Sequence, residues 1–440
     1  MNAIVKHAVR WVLLYIVVVM APLWMMLAEP LPAGRYFGVE FGVALGFLGL
    51  ALMCVQFLLT GRFWQVGKPF GVDTILQFHR QAGIIAVIFV IGHVVVLLAA
   101  RPGYWAFFDP RVNAPRALAL VMALVAMIAL VVLSLRRRTF GLSYEWWRLT
   151  HGLLAALVLF IGLAHVNMVG HYVATPFKRG VWIAGVGAAL GLLIYIRIVK
   201  PWQTSRRPWR VTDVQPERGE SWSLTLEAEG HAGMPFNAGQ YAWLTLGPTP
   251  WTLQQHPFSF SSSAAEPTRV RLTIKELGDF TGTIGKTSIG TRAYLEGPYG
   301  QFLLPRREPT VMIAGGIGIT PFLSMLRTEA DTADHQTPYY LFYGVPTLDR
   351  AIGHEELTEL EQLLPALTIV YVVDRPDEQW QGERGYVTRE LLQRHLPEHE
   401  IKRLRYMACG PDIMLDMVNA ELSAMGVPQH RQRSERFNIV

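Results

Sequence analysis

Four histidines lie inside long apolar segments, where ionisable side chains are rare and usually functional. His79 and His93 share one segment, His151 and His165 another, and both pairs are separated by 14 residues. At about 100° per residue, 14 steps fall about 40° short of four full turns, so each pair shares a helix face. With a rise of about 1.5 Å per residue, its members stand about 21 Å apart along the axis. The two segments are the third and fifth of six and cross a membrane in the same direction. His79 is therefore level with His151, and His93 with His165. Two levels of two facing imidazoles describe axial ligation of two six-coordinate haems b stacked across a bilayer. The alternative is that each histidine snorkels or bonds a carbonyl near a helix end, and the repeated spacing on two helices argues against it. Ligation from both sides fills each iron, so an acceptor takes its electron at the haem edge. His171, three residues past the expected end of its segment, reads as an exposed loop histidine.

The segments that must position these side chains run over about 11–28, 38–59, 75–100, 117–135, 147–168 and 180–199, each long enough to span. The formal charge is +6, yet only 17% of residues are charged. The basic residues stand beside the apolar segments, which reads as membrane topology, with no basic–aromatic surface for nucleic acid. Lys6, Arg10, Arg62, Lys68, Arg136–Arg138, Lys200, Arg206 and Arg207 fall on one side. Arg35, Arg101, Arg111, Arg116, Lys178 and Arg179 fall on the other, diluted by Glu29, Glu40 and Asp109. The tally predicts both termini cytoplasmic, and the first helix is expected to be retained rather than cleaved as a signal peptide, in a chain expected to be an integral protein of a bacterial inner (plasma) membrane. Cys54 sits in an apolar run and Cys409 in a soluble motif. Two cysteines cannot supply the four thiolates of a typical iron–sulfur cluster.

After residue 200 the texture is that of a soluble protein. Val211–Glu229 alternates like a strand, with Trp222, Leu224 and Leu226 on one face. Strands are also expected at Tyr241–Leu246, Pro257–Ser261, Val270–Lys275 and Arg292–Glu296, in the manner of a small antiparallel β-barrel. On one of them lies Gln255-His256-Pro257-Phe258-Ser259-Phe260-Ser261-Ser262. A flavin needs an aromatic cover, which Phe258 supplies, a hydroxyl near N5, which Ser259 supplies, and a phosphate or ribitol partner, for which His256 serves. The plain alternative is a strand followed by a Ser-rich turn. Downstream, Lys275 offers charge to a pyrophosphate, Gly278 a close backbone approach and Thr281 a hydroxyl and an amide. Glu296-Gly297-Pro298-Tyr299-Gly300 is expected to close the barrel with a turn.

From Thr310 the pattern becomes strand, Gly-rich turn, helix, strand, the signature of a parallel α/β domain. Gly315, Gly316 and Gly318 permit a tight turn and the approach of a pyrophosphate to a helix N-terminus, which Thr320 and Pro321 open. Near the end, Cys409-Gly410-Pro411 follows another strand. Cys409 stands either beside the nicotinamide or simply as a small buried residue at a strand end. Phe437 either covers the flavin until nicotinamide displaces it or only packs.

These motifs together resemble the ferric reductase and NADPH oxidase superfamily, prokaryotic in type, over nearly the whole chain. The resemblance rests on six spans with paired histidines, HPFSFSS, GDFT, GPYG, GGIGITP and CGP. It implies an α-helical membrane bundle of six spans (1–200), an antiparallel β-barrel FAD domain (205–305) and an α/β parallel-sheet nucleotide-binding domain (309–440). The soluble half resembles ferredoxin–NADP reductases. The implied activity is an NAD(P)H oxidase or ferric-chelate reductase that passes electrons from NADPH or NADH through FAD and two haems b to oxygen or a ferric chelate. The runner-up is an electron-delivery protein for a periplasmic protein acceptor. Family oxidases carry a basic residue near the outer haem, and none is evident in the second span, where Glu40 stands instead. Arg350 and Arg375 are the candidate readers of a 2′-phosphate. No calcium-binding loop is visible.

Overall fold

The structure, a computed structural model, describes residues 3–26, 28, 33–61, 63, 72–331 and 336–436. Phe437, Glu29, Arg62 and Lys68 lie outside the described residues. The chain divides into two compact units, 1–200 and 201–440.

Among the described residues, the first unit holds six helices long and apolar enough to cross a membrane. They are α1 (Ala3–Met26), α2 (Phe37–Leu59), α3 (Val72–Ala100), α4 (Pro110–Arg136), α5 (Tyr144–Val169) and α6 (Pro176–Ile194). A π-helical turn, Tyr195–Val199, carries α6 into α7 (Lys200–Ser205). Several helices begin before their apolar stretch because polar caps start them early. Asp109 accepts from the Arg111 N–H at 2.8 Å, and Ser143 and Thr175 cap α5 and α6. Gly170, at φ +67°, ends α5 in a left-handed turn.

Leu159, Val186 and Met127 are buried in the bundle, while Ile88, Val125 and Phe160 face outward, as lipid-facing side chains do. The inner helix is α2. A Cβ on Gly42, Gly46 or Gly49 would stand within 3 Å of side chains of α3, so these glycines let the two helices lie close. Close packing also joins α4 to α5, whereas α3 and α5 are not closely packed on one another.

The second unit contains two six-stranded sheets. The first is antiparallel in the order β4-β3-β6-β1-β2-β5, made of β1 (Trp209–Glu217), β2 (Ser221–Ala228), β3 (Tyr241–Leu246), β4 (His256–Ser259), β5 (Arg269–Lys275) and β6 (Arg292–Tyr299). Its two edges meet at one isolated bridge, Phe260 to Leu272, so the sheet curls back on itself without a closing ladder. The expected barrel is in this sense open. The stretch 211–229 is a hairpin rather than one strand. It turns through Arg218, Gly219 and Glu220, the last two at positive φ. The GPY segment extends β6 instead of ending it, with Tyr299 opposite Tyr241.

The second sheet is fully parallel, ordered β10-β9-β8-β7-β11-β12. Its strands are β7 (Thr310–Gly315), β8 (Tyr339–Val345), β9 (Leu367–Val373), β10 (Glu383–Arg384), β11 (Arg405–Cys409) and β12 (Gln432–Glu435). The helices are α8 (Thr320–Ala330), α9 (His354–Leu363), α10 (Arg389–His395) and α11 (Asp412–Ala424). The central strand β7 reads TVMIAG and is buried along its whole length, as a strand covered on both faces must be.

Candidate functional site

Across the gap between α3 and α5, His79 faces His151 and His93 faces His165. Ring centres stand 6.3 Å apart in both pairs, with interplanar angles of 62° and 77°. A metal bonded to two opposed imidazoles at about 2 Å places their ring centres roughly 6 Å apart. The spacing thus fits one metal between each pair. Among the described residues no group of three or more His, Cys, Asp or Glu is arranged to hold a metal ion. The gap between the two helices leaves room for a planar macrocycle around such a metal.

Each pair has its own support. Nδ1 of His93 lies 2.8 Å from the Gly42 carbonyl and can only donate to it, which turns Nε2 toward His165. A Cβ at Gly46 would meet that same Nδ1 at 2.6 Å. Nδ1 of His151 lies 3.1 Å from Oγ of Ser134 on α4. The two terminal atoms of the Gln56 amide lie 2.5 Å from Nδ1 of His79 and 3.0 Å from the Gly83 nitrogen.

An apolar cavity surrounds His93 and His165, lined by Val43, Phe47, Leu97, Leu124 and Gly162 among others. Its polar end carries Arg35, Tyr104, His171 and Tyr172. Arg35 bonds Glu40 through its backbone N–H at 2.9 Å and Nε at 3.3 Å, and Tyr172 donates to the same carboxylate. Among the described residues, one Arg35 guanidinium nitrogen and Nε2 of His171 are buried there without a partner. His171 is therefore not the exposed loop residue expected: the left-handed turn at Gly170 folds it back over the cavity. Arg35, one residue before the cap of α2, is the basic side chain that the second span itself lacks. Lys178 is not a free topology charge either, since it is buried and donates to the Ala28 carbonyl at 2.7 Å.

In the second unit, β4 places His256, Pro257, Phe258 and Ser259 opposite Leu244, Trp243, Ala242 and Tyr241. The Phe280 ring stacks on His256 at 4.3 Å and lies parallel to Phe258 at 6.2 Å. Lys275 ends β5 nearby in sequence, opposite Ser221. The Thr281 hydroxyl is engaged in its own loop, accepting from the N–H groups of Leu277 and Gly278 at 2.8 and 2.9 Å. It shapes the turn rather than facing outward. A Cβ at Gly278 would meet open space, so this surface stays accessible.

The glycines after β7 divide into two kinds. A Cβ at Gly318 would stand 2.2 Å from the Cys409 carbonyl oxygen, and one at Gly315 would stand 3.0 Å from Pro411. A Cβ at Gly410 would in turn stand 3.1 Å from Gly315. These three are required because the turns after β7 and β11 touch. Gly316 has φ +53° and open space around its Cβ position, so it is the one left open at the start of α8. Thr320 donates to the Ile317 carbonyl at 3.1 Å, and Pro321 occupies the first turn of α8. Cys409 is fully buried, paired with Ala314 on one side and Glu435 on the other.

The comparisons with known proteins match these parts in order. Residues 45–163 match the family described as ferric reductase like transmembrane component, 211–303 an FAD-binding domain, and 312–420 an oxidoreductase NAD-binding domain. This is the make-up of a ferric reductase/NADPH oxidase-type fusion. The matched parts are a transmembrane component, an FAD-binding domain and an NAD-binding domain.

Curated relatives match less of the chain. The reductase component of propane 2-monooxygenase from Rhodococcus jostii is 31% identical over 52% of this chain and 62% of its own. NADH-cytochrome b5 reductase 2 from Aspergillus oryzae is 29% identical over 37% of this chain and 52% of its own. The chain thus spans only half to three-fifths of the length of these relatives. Among solved structures, the flavohemoglobin of Malassezia yamatoensis with bound FAD and heme has a TM-score of 0.50 at 18% identity, covering 92% of this chain and all of that one. That likeness concerns the fold alone.

Three features of the fusion have no strong sequence signal. Phe280 lies within the GDFT motif, yet its stacking on His256 depends on the fold of the loop. Tyr343 donates to the Gly316 carbonyl at 3.2 Å and accepts from the Ile352 N–H at 3.0 Å, holding the dinucleotide turn from beneath. Burial pushes its hydroxyl well above the usual tyrosine range, so it remains a protonated donor. Finally, α8 clamps the tail of the flavin motif. Arg327 donates to the Ser261 carbonyl, Ser324 to the Ser262 carbonyl at 2.7 Å, and the Ala264 N–H to Thr328 at 2.9 Å. Arg327 also makes a two-pronged pair with Glu356 of α9.

Proposed function

We propose that the chain is a transmembrane NAD(P)H oxidase or ferric-chelate reductase. It carries electrons from cytoplasmic NADPH or NADH through FAD and two haems b to an acceptor on the far side of a bacterial inner membrane. The observation that carries this reading is the pair of facing imidazoles, at 6.3 Å twice over, in a chain with FAD- and NAD-binding domains. When bound, the flavin would take a hydride from the nicotinamide and release electrons singly, and the haems would pass them across the bilayer. His79 and His151 hold the inner haem, His93 and His165 the outer.

The protein residues bind and orient. His256, Pro257, Phe258 and Ser259, with Lys275, Gly278 and Thr281, form the flavin side, where Ser259 stands near N5. Gly315, Gly316, Gly318, Thr320 and Pro321, with Cys409, Gly410 and Pro411, form the nicotinamide side. His93 and His165 would hold the outer haem from both sides, and that haem would supply the electron to oxygen or a ferric chelate. There the unpartnered nitrogens of Arg35 and His171 favour an anionic acceptor or product.

The test uses the purified full chain with FAD and haem, NADPH or NADH, and cytochrome c in air. Reduction of cytochrome c that superoxide dismutase suppresses identifies an oxidase. Reduction insensitive to the dismutase, with fast anaerobic turnover of ferric citrate, identifies a ferric-chelate reductase. Turnover with neither oxygen nor ferric chelates contradicts the reading and points to a periplasmic protein acceptor.

A further inference from the structure

The two histidine pairs differ in what holds them. His93 leans on a backbone carbonyl, which no side-chain change can remove. His151 leans on a side chain, Ser134 of α4. The Ser134 hydroxyl has one hydrogen, and it is committed: Oγ donates to the Leu130 carbonyl one turn back at 2.6 Å. Oγ can then only accept from its other neighbours. It receives the Trp147 Nε1–H at 3.3 Å and Nδ1–H of His151 at 3.1 Å. The Trp147 and His151 rings, one turn apart on α5, stand 5.4 Å apart and share this one oxygen.

The arrangement fixes the tautomer. With Nδ1 protonated toward Ser134, Nε2 of His151 carries the lone pair and faces His79. It also sets how electron-rich that nitrogen is. A strong acceptor at Nδ1–H draws the proton and raises the basicity of Nε2, which favours the ferric state of a bound iron. The hydroxyl oxygen shared with Trp147, 3.1 Å from its imidazole, is a weaker acceptor than the peptide carbonyl at 2.8 Å that His93 uses.

We propose that Ser134 is a positioning residue for the inner haem: through His151 Nδ1 it fixes the ligating tautomer and lowers the reduction potential of that haem alone. Trp147 moderates the effect by occupying the same oxygen. This inference rests on the haem-ligand reading given above.

The experiment is an equilibrium redox titration of the full chain with both haems, in lipid nanodiscs, followed by the haem absorption bands and by low-spin electron paramagnetic resonance. Ser134→Ala is expected to shift the ferrous/ferric ratio of one haem about tenfold toward ferrous, about 59 mV for a one-electron couple. The other haem stays at its wild-type potential. Ser134→Thr keeps an acceptor and restores the wild-type value. Should Ser134→Ala lose the inner haem, Ser134→Cys carries the test. Its sulfur is a weaker acceptor of nearly the same shape, and a shift of smaller size in one haem supports the proposal. Unchanged potentials in Ser134→Ala with both haems present overturn it, as does loss of the inner haem from Ser134→Cys as well. A parallel His151→Leu chain that keeps both haems overturns the ligand reading itself, so the two failures are told apart.

Discussion

Nδ1 of His93 donates to the Gly42 carbonyl across the α2–α3 contact at 2.8 Å, and the bond exists because nothing stands at Gly46 but a hydrogen. A methyl group at that position would sit 2.6 Å from the imidazole nitrogen. In Gly46→Ala the ring is displaced, at a packing cost of about 1–3 kcal/mol. The expected outcome is a fall from two haems toward one per chain, measured by pyridine haemochrome against protein, with flavin content unchanged.

The two kinds of glycine after β7 separate stability from ligand binding. Gly318→Ala drives a Cβ into the Cys409 carbonyl, a backbone atom that cannot swing away. The nucleotide domain is expected to lose about 1–3 kcal/mol or more, read as earlier flavin release in a thermal melt. Gly316→Ala meets no neighbour and bears only the strain of a positive φ, about 1–2 kcal/mol. Its melt stays nearer wild type, while its KM for the nicotinamide substrate rises several-fold.

The clamp between α8, α9 and the flavin motif gives a pH dependence. Burial alone would push the Glu356 carboxyl up, but its hydrogen bonds to Arg327 and the charges of Arg327 and Arg271 outweigh this and hold it below the ordinary value. A carboxyl with a depressed folded pKa contributes stability above its unfolded pKa, about 4.3, and loses it as pH falls through the folded value. Wild type should therefore lose melting temperature on acidification from about pH 5 downward. Glu356→Gln should start lower at pH 7 and show a shallower acid slope. Parallel slopes would exclude Glu356 as the titrating group.

Arg35 presents an unpartnered nitrogen at the polar end of the cavity around His93 and His165. Arg35→Gln removes a charge there without touching either imidazole. Anaerobic reduction of the haems by NAD(P)H is expected to proceed at the wild-type rate in stopped flow. Reoxidation by oxygen or ferric citrate should slow about tenfold or more, as loss of one charge-assisted hydrogen bond implies.

Much of the fold is legible because its signals are local and periodic. Long apolar runs give six helices, and β7 reads as a strand buried on both faces. The meeting of His79 with His151 and of His93 with His165 follows from equal spacing on two parallel helices. What was hidden depends on contacts between distant segments. Ser134, Gln56 and Gly42 have no motif around them, and their roles appear only when α2 and α4 lie beside the histidine helices. His171 looked like a loop residue because the turn that folds it back hangs on one left-handed glycine. The glycines of GGIGITP read alike in sequence, yet the CGP turn accounts for two of them. The hairpin at Arg218–Glu220 was hidden because alternation continues through both of its strands.

The central claim is that each facing pair holds one haem, and His79→Leu tests it most directly. Haem per chain, haem absorption and redox titration are measured together on the purified variant. The expected result is one haem per chain, with the remaining potential matching the outer haem, and flavin reduction by NAD(P)H intact. Two haems per chain with both potentials unchanged would contradict the account.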